Sequence, residues 1–157
     1  MIHNGNIYRG YWPQILNGHG TDFMMDEYEG TEMSAYSFLH GNCAFFAYAL
    51  AKRMGYEIIM AYTLDPEYIC CFAHAYCHIE KDGKLYYFDI RGVTTNEDIL
   101  LEEFDIYLKN GGDDFVSFEP ITCEELKNSP YIDGYDKEKI LGNANQFIEV
   151  NLDFYQI

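Results

Sequence analysis

The chain has 157 residues, of which 48% are hydrophobic and 17% aromatic. This apolar content excludes an intrinsically disordered chain and is sufficient for one core, so we expect a single domain over residues 1–157. The 26 acidic and 10 basic residues give a formal net charge of −16 at pH 7. So acidic a surface argues against direct binding to nucleic acid or to anionic lipid, because both need lysine and arginine side chains.

The sequence also carries signals about compartment and partners. No apolar run reaches the roughly 18 residues that a membrane span requires, and the N-terminal residues lack the pattern of a secretory signal. The five cysteines are an odd number without a CxxC spacing, which favours free thiols in a reducing, cytoplasmic compartment. From the charge we expect neutral or basic proteins or peptides, or small molecules, as partners.

In chain order, the first elements lead to one clear helix. Residues 1–22 are rich in glycine and asparagine and predict an irregular or short-stranded segment. Residues 22–39 predict one or two short helices. The clearest helix covers 42–54, because apolar residues recur there at helical spacing, Asn42 is a favoured N-cap and Gly55 is suited to the helix end.

The middle of the chain predicts antiparallel strands. A β-rich run covers 57–62. It is followed by the clearest hairpin, whose arms cover 71–81 and 84–91 and whose turn is Asp82-Gly83. An Asp-Gly pair between two β-rich runs is a strong short-range signal for a hairpin, because both residues tolerate the positive φ angles of a tight turn.

The remainder of the chain alternates between helix and strand patterns. We predict an acidic amphipathic helix over 97–110, a short strand over 115–118, short helices over 124–127 and 136–143, and a last strand over 147–155. The acidic runs are expected to form solvated helix faces. Together with the preceding elements, this pattern predicts an α+β fold.

The register of the hairpin decides which side chains meet. Counting outward from a two-residue turn, Tyr76 lies opposite Asp89 and His74 lies opposite Arg91. Opposite residues share a face of the sheet, so His74 and Asp89 are diagonal neighbours, with backbones about 7–8 Å apart. An aspartate at this position can accept a hydrogen bond from one imidazole nitrogen and leave the other nitrogen to act as a base.

Cys43 is the candidate nucleophile, because it lies in the first turn of the predicted helix. The N–H groups and the positive end of a helix lower the pKa of a thiol at this position, and a histidine in contact lowers it further. The Cys43 backbone N–H could form half of an oxyanion hole. Side chains that could complete the oxyanion hole are Ser37, His40 and Asn42.

Three segments of the chain carry a common pattern. They are Gly41-Asn42-Cys43-Ala44 at the start of an apolar helix, His74-Ala75-Tyr76 on a strand, and the run from Asp82 to Asp89 on the next strand. Over about 41–92 this pattern resembles the papain-like and transglutaminase-like cysteine superfamily. The resemblance implies a papain-like fold with a transglutaminase-like core, in which an N-terminal helix carrying the cysteine packs on an antiparallel sheet. It also implies Cys43 as nucleophile, His74 as general base and Asp89 as orienting residue.

The sequence therefore favours an enzyme. The expected activity is that of a cysteine-dependent hydrolase, similar to a thiol protease, or of a transglutaminase-like acyltransferase. Its substrate would be an amide, isopeptide, ester or thioester, and no cofactor is expected. The alternative is a non-catalytic acidic binding protein, either an inhibitor or a nucleic-acid mimic, on a degenerate papain-like scaffold, because the net charge is strongly negative.

Two further alternatives concern the site itself. His78 shares the face of His74 and is the second choice for the base. A Zn²⁺ site formed by Cys43, Asp89 and the two histidines is disfavoured, because side chains four residues apart on a strand start about 13 Å apart. We therefore expect no metal.

Overall fold

The computed structural model describes residues 2–3, 6–7, 35–39, 41–64, 70–98, 100–101 and 114–157. The strands are β1 (Ile2–His3), β2 (Asn6–Ile7), β3 (Glu57–Leu64), β4 (Cys70–Lys81), β5 (Lys84–Asp89), β6 (Gly92–Thr94) and β7 (Asp114–Ile121). The helices are α1 (Ala35–Leu39), α2 (Cys43–Met54), α3 (Cys123–Lys127) and α4 (Lys137–Val150), followed by a 3₁₀ helix (Leu152–Tyr155). This part of the chain has the predicted α+β fold.

Five strands form one antiparallel sheet in the order β6-β5-β4-β3-β7, and β1 pairs with β2. Strands β4 and β5 form the predicted hairpin, in which Lys81 lies opposite Lys84. The turn between them has a φ angle of 54° at Asp82 and of 74° at Gly83. Two positive φ angles are what a type I′ turn requires. The predicted turn is confirmed, and the predicted register is confirmed from the Lys81–Lys84 pair to the Cys77–Phe88 pair. The predicted pairing of His74 with Arg91 is not found, because Arg91 lies in the turn after β5.

Helix α2 begins at Cys43, as the sequence indicates. It ends at Gly55, whose φ angle is 76° and whose N–H donates to the Ala51 carbonyl at 2.8 Å. Asn42 occupies the N-cap position, but its side chain makes no capping hydrogen bond among the described residues. The Asn42 backbone N–H instead donates to the Ser37 carbonyl at 2.8 Å. This bond joins the start of α2 to α1.

One face of the sheet packs against α2, which in turn packs against α4. The Phe46 ring contacts the rings of Phe147 and Tyr155, with centroid distances of 6.3 and 5.3 Å. The Tyr56 hydroxyl donates to the Tyr155 carbonyl at 2.7 Å, and the Tyr155 hydroxyl donates to the Ile90 carbonyl at 2.8 Å. These bonds join the helical layer to the ends of two strands and satisfy polar groups that the core would otherwise leave unpaired.

The opposite face of the sheet carries a second apolar cluster. Its members are Ile59, Ala61, Tyr76, Tyr87, Leu100 and Leu101. Glu97, Asp98, Leu100 and Leu101 are helical, which agrees with the start of the helix predicted over 97–110. Residues 99 and 102–110 lie outside the described part of the chain. Both faces of the central strands are therefore covered by side chains.

The strand predicted over 147–155 is wrong. In its place α4 continues to Val150 and the 3₁₀ helix follows. Ala144, Phe147 and Ile148 are spaced by three and four residues, and all three are buried. A helix gathers this spacing on one face, so packing against α2 decides the structure of a segment whose local pattern also suits a strand.

Other predicted elements agree with the structure in part. The strands β3 and β7 are longer than predicted, and α4 extends beyond the helix predicted over 136–143. The second hairpin arm ends at Asp89 instead of residue 91, because Gly92 starts β6, a strand that the sequence analysis missed. The element α1 agrees with a short helix within 22–39, and β1 and β2 agree with a short-stranded start. The other residues of these two segments lie outside the described residues.

No helix in the described part of the chain is long and apolar enough to cross a lipid bilayer.

Candidate active site

The hairpin brings two of the predicted site residues together. The Nε2 atom of His74 on β4 lies 3.1 Å from Oδ2 of Asp89 on β5. Both side chains are buried, with 0% of His74 and 2% of Asp89 exposed. An ionised carboxylate can only accept, so the ring donates from Nε2, and Nδ1 is the basic nitrogen of the neutral imidazole. This is the arrangement that the register predicts.

Arg91 also binds Asp89, a contact that was not predicted from the sequence. Its Nε donates to Oδ1 at 3.0 Å and lies 3.1 Å from Oδ2, and its Nη2 also donates to Oδ2. The Arg91 backbone N–H donates to Oδ1 at 2.9 Å. The guanidinium is fully buried. The signal in the sequence was an arginine two residues after the aspartate, although Arg91 lies in the turn after β5 and not in a strand.

These contacts fix the charge of Asp89. Burial by itself would raise the pKa of this carboxyl group. The charge of Arg91, the hydrogen bond from His74 and the hydrogen bonds from Arg91 outweigh burial and hold the pKa of Asp89 well below its ordinary value. Asp89 is therefore an anion at neutral pH, as the role of hydrogen-bond acceptor to His74 requires.

Two residues of the helical segment after β6, Glu97 and Leu100, are hydrogen-bonded to the same site. Nη2 of Arg91 donates to the Leu100 carbonyl at 2.9 Å, and the Tyr76 hydroxyl donates to Oε1 of Glu97. The Tyr76 ring is stacked beside the His74 ring, with centroids 5.9 Å apart. Burial and the bond to Glu97 raise the pKa of Tyr76, so the phenol stays protonated and keeps donating. Hydrogen bonds thus link the site residues to Glu97 and Leu100.

The third predicted residue, Cys43, is the first residue of α2 and is only 2% exposed. Its thiol forms hydrogen bonds with the backbone at Ala75 and at Ala44, which lower its pKa. Burial has the larger effect and raises the pKa of Cys43 to about 12, and the charge of Asp89 adds to the increase. The expected low pKa is not found, because removing the thiolate from water outweighs the favourable helix end.

Strand alternation places the side chains of Cys77 and His74 on opposite faces of β4. The Cys77 thiol donates to the Ala47 carbonyl of α2 at 3.3 Å, so this face of β4 meets the helix. Side chains alternate along a strand, and therefore His74 and Tyr76 lie on the opposite face. The Cys43 thiol contacts the backbone of the residue that follows His74, while the His74 ring is turned toward Asp89. The structure joins His74 to Asp89 and places the Cys43 thiol against the backbone beside His74.

The remaining candidates have other partners or positions. Nε2 of His78 lies 2.7 Å from Oε2 of Glu57, at a partly exposed position. Of the oxyanion candidates, Asn42 is partly buried at the N-cap of α2, and His40 lies outside the described residues. Within the described ranges, no group of three or more His, Cys, Asp or Glu side chains could hold a metal ion.

A cavity of about 370 Å³ lies at another place in the fold, between the start of β3 and the end of β7. It is lined by Tyr56, Glu57, Ile58, Pro120, Ile121, Thr122, Cys123 and Glu125. None of the three predicted site residues lines it. Cys123, which is partly exposed, borders this cavity.

Comparison of the chain with protein-family models, with curated proteins and with solved structures finds no match.

Proposed function

We propose that the chain is a cysteine-dependent hydrolase or acyltransferase with a papain-like, transglutaminase-like core. Cys43 is the nucleophile, His74 the general base and Asp89 the residue that orients the base. The observation that carries the proposal is the buried hydrogen bond of 3.1 Å between His74 and Asp89. It lies directly beside the backbone that the Cys43 thiol contacts. A histidine held by an ionised acid near a thiol is the usual arrangement for activating a sulfur nucleophile.

The reaction follows from the chemistry of these groups. His74 removes the proton of the Cys43 thiol, and the thiolate attacks the carbonyl carbon of an amide, isopeptide, ester or thioester. The imidazolium then returns the proton to the leaving group, and an acyl group remains on the sulfur. Water or an amine attacks this thioester in the second step and releases the acid or the new amide. Asp89 stays ionised throughout and stabilises the imidazolium.

The proposal requires a second conformation. In the conformation described above, the Cys43 thiol is shielded and its pKa is about 12, so the thiol is protonated at neutral pH. In the active conformation the Cys43 thiol is open to the substrate and in contact with the His74 ring. The change is local, because the thiol already contacts the backbone next to His74. A substrate that binds only the active conformation would shift the population toward it.

Trapping of an acyl-enzyme tests the proposal. The wild-type chain is incubated with p-nitrophenyl acetate, quenched in acid and mapped by peptide mass spectrometry. We predict an acetyl group on Cys43, formed about 100-fold more slowly in His74→Ala, because general base catalysis contributes rate factors of this size. Cys43→Ser should lose the rapid release of nitrophenol.

His78→Ala is the matched control, because it removes an imidazole from the same strand but leaves the bond between His74 and Asp89 intact. Acetylation of Cys43 should be unchanged in this variant. Equal loss in His74→Ala and His78→Ala would contradict the proposal. Acetylation of the more accessible Cys123 in preference to Cys43 would also contradict it.

The burial of Cys43 favours a second candidate function, a non-catalytic acidic binding protein on the same scaffold. A shielded thiol with a raised pKa suits a core residue as well as a latent nucleophile. If the chain is such a binding protein, Cys43→Ser leaves its binding function unchanged. Binding of a basic protein would weaken as salt screens the net charge of −16. An absent acyl-enzyme combined with such binding would favour this candidate.

A further inference from the structure

Arg91 binds the Asp89 carboxylate beside the proposed site. We infer that Arg91 is a positioning residue, which keeps Asp89 ionised and thereby leaves His74 uncharged and able to accept a proton at neutral pH. The catalytic meaning of this inference rests on the proposed function. The protonation state of His74 can be measured without any assumption about catalysis.

The geometry of the guanidinium supports this role. Nε and Nη2 of Arg91 both reach the carboxylate of Asp89, and the backbone N–H of Arg91 adds a third donor. Nη2 also donates to the Leu100 carbonyl at 2.9 Å. The planar guanidinium is therefore held by both the Asp89 carboxylate and the Leu100 carbonyl. In this position it holds Oδ2 of Asp89 where that atom accepts the His74 hydrogen bond.

Charge balance gives the second argument. A buried carboxylate whose only partner is a neutral imidazole is costly, so such a pair tends to bind an extra proton, on the ring or on the acid. A ring that already holds this proton cannot act as a base. Arg91 supplies the positive charge instead. The pair of His74 and Asp89 then needs no additional proton.

The other described groups around the pair do not supply this positive charge. Among the described residues, the titratable or charged groups near the pair are Tyr76 from β4, Tyr87 from β5, Glu97 from the helical segment after β6, and Cys43 from α2. Tyr76, Tyr87 and Cys43 are uncharged at neutral pH, since burial raises the pKa of each. Glu97 accepts a hydrogen bond from Tyr76 and has the same sign of charge as Asp89. Of Arg91 and these four described groups, Arg91 is the one with a permanent positive charge.

Imidazole ¹⁵N NMR of the full chain tests the inference. In the wild type at pH 7 we predict a neutral His74 ring with its proton on Nε2. In Arg91→Met, the midpoint of the His74 titration should rise by about 1 pH unit or more, because the carboxylate loses its compensating charge. In Arg91→Lys, which keeps the charge without the fork, the midpoint should return most of the way to the wild-type value.

His78 serves as the internal control in the same spectra, because its partner is Glu57. Its midpoint should stay constant in all variants. A charged His74 ring in the wild type at pH 7 would overturn the inference, and this measurement needs no variant to fold. An unchanged His74 midpoint in folded Arg91→Met would also overturn it, since a purely structural role would leave the titration unaffected.

The two proposals can fail separately. A shifted His74 midpoint without an acyl-enzyme on Cys43 would mean that Arg91 sets the charge of the pair but that the site is not a thiol enzyme. An acyl-enzyme without a shifted midpoint would mean that the enzyme works and that Arg91 only supports the fold.

Discussion

Asp89 and Cys43 are both buried acids, but their environments shift their pKa values in opposite directions. Asp89 has Arg91 and His74 as partners, and its pKa is lowered. Cys43 has only backbone hydrogen bonds against its burial, and its pKa is raised. The sequence allows the first result to be anticipated in part, since strand alternation places His74, Asp89 and Arg91 on one face. It does not reveal how deeply a helix start is buried, because burial depends on distant segments.

The lowered pKa of Asp89 predicts an acid-dependent stability. The folded chain binds fewer protons at Asp89 than the unfolded chain, so the stabilisation is complete above the ordinary aspartate pKa of about 3.9 and is lost as the pH falls below it. Asp89→Asn should flatten this acid dependence. At pH 7 it should also lower the free energy of unfolding by about 3–5 kcal/mol, because it leaves Arg91 buried without its anion.

Urea denaturation at several pH values, followed by circular dichroism, measures this effect. Asp153→Asn is a suitable control, because it removes the same charge from an exposed position. Its stability at pH 7 should stay close to that of the wild type. If Asp89→Asn and the wild type lost stability in parallel between pH 5 and pH 3, Asp89 would not be the group responsible.

Secondary-structure elements differ in how much of their structure is determined locally. The hairpin was predictable because its turn residues and its alternating strands agree, and the two positive φ angles at Asp82 and Gly83 confirm this. Helix α2 was predictable because its apolar residues recur at helical spacing and Gly55 follows where that pattern ends. The end of the chain was not, because the residues over 147–155 suit a strand locally and only their packing against α2 makes them helical. Local patterns determine structure where tertiary packing does not oppose them.

The turn glycine offers a test at this scale. Gly83→Ala should lower the free energy of unfolding by about 1–2 kcal/mol, because an L-residue at a φ angle of 74° is strained. Gly142→Ala is the matched control. A Cβ atom at this helical position meets no heavy atom within 4 Å, so the variant should gain about 0.5–1 kcal/mol. Chemical denaturation measures both values, and changes of the same sign would contradict the turn assignment.

For the molecule as a whole, the central strands contribute side chains to two separate apolar clusters. Helix α2 covers one face and carries Cys43 into the cluster there, and Leu100 and Leu101 contribute to the cluster on the other face. The sequence predicts which residues lie near each other along the hairpin, because that depends on local register. It could not predict on which side of the sheet the helix would pack. Because Cys43 is buried, catalysis requires a local opening at the start of α2 that admits a substrate.

The relative reactivity of two thiols tests the proposed partnership of Cys43 and His74 most directly. The chain is treated with iodoacetamide at pH 7, and labelling of each cysteine is followed over time by peptide mass spectrometry. Burial alone would make the partly exposed Cys123 react before the buried Cys43. We predict the reverse order in the wild type, and a return to the order set by burial in His74→Ala. If Cys123 reacts first in both proteins, Cys43 is a core residue and His74 does not activate it.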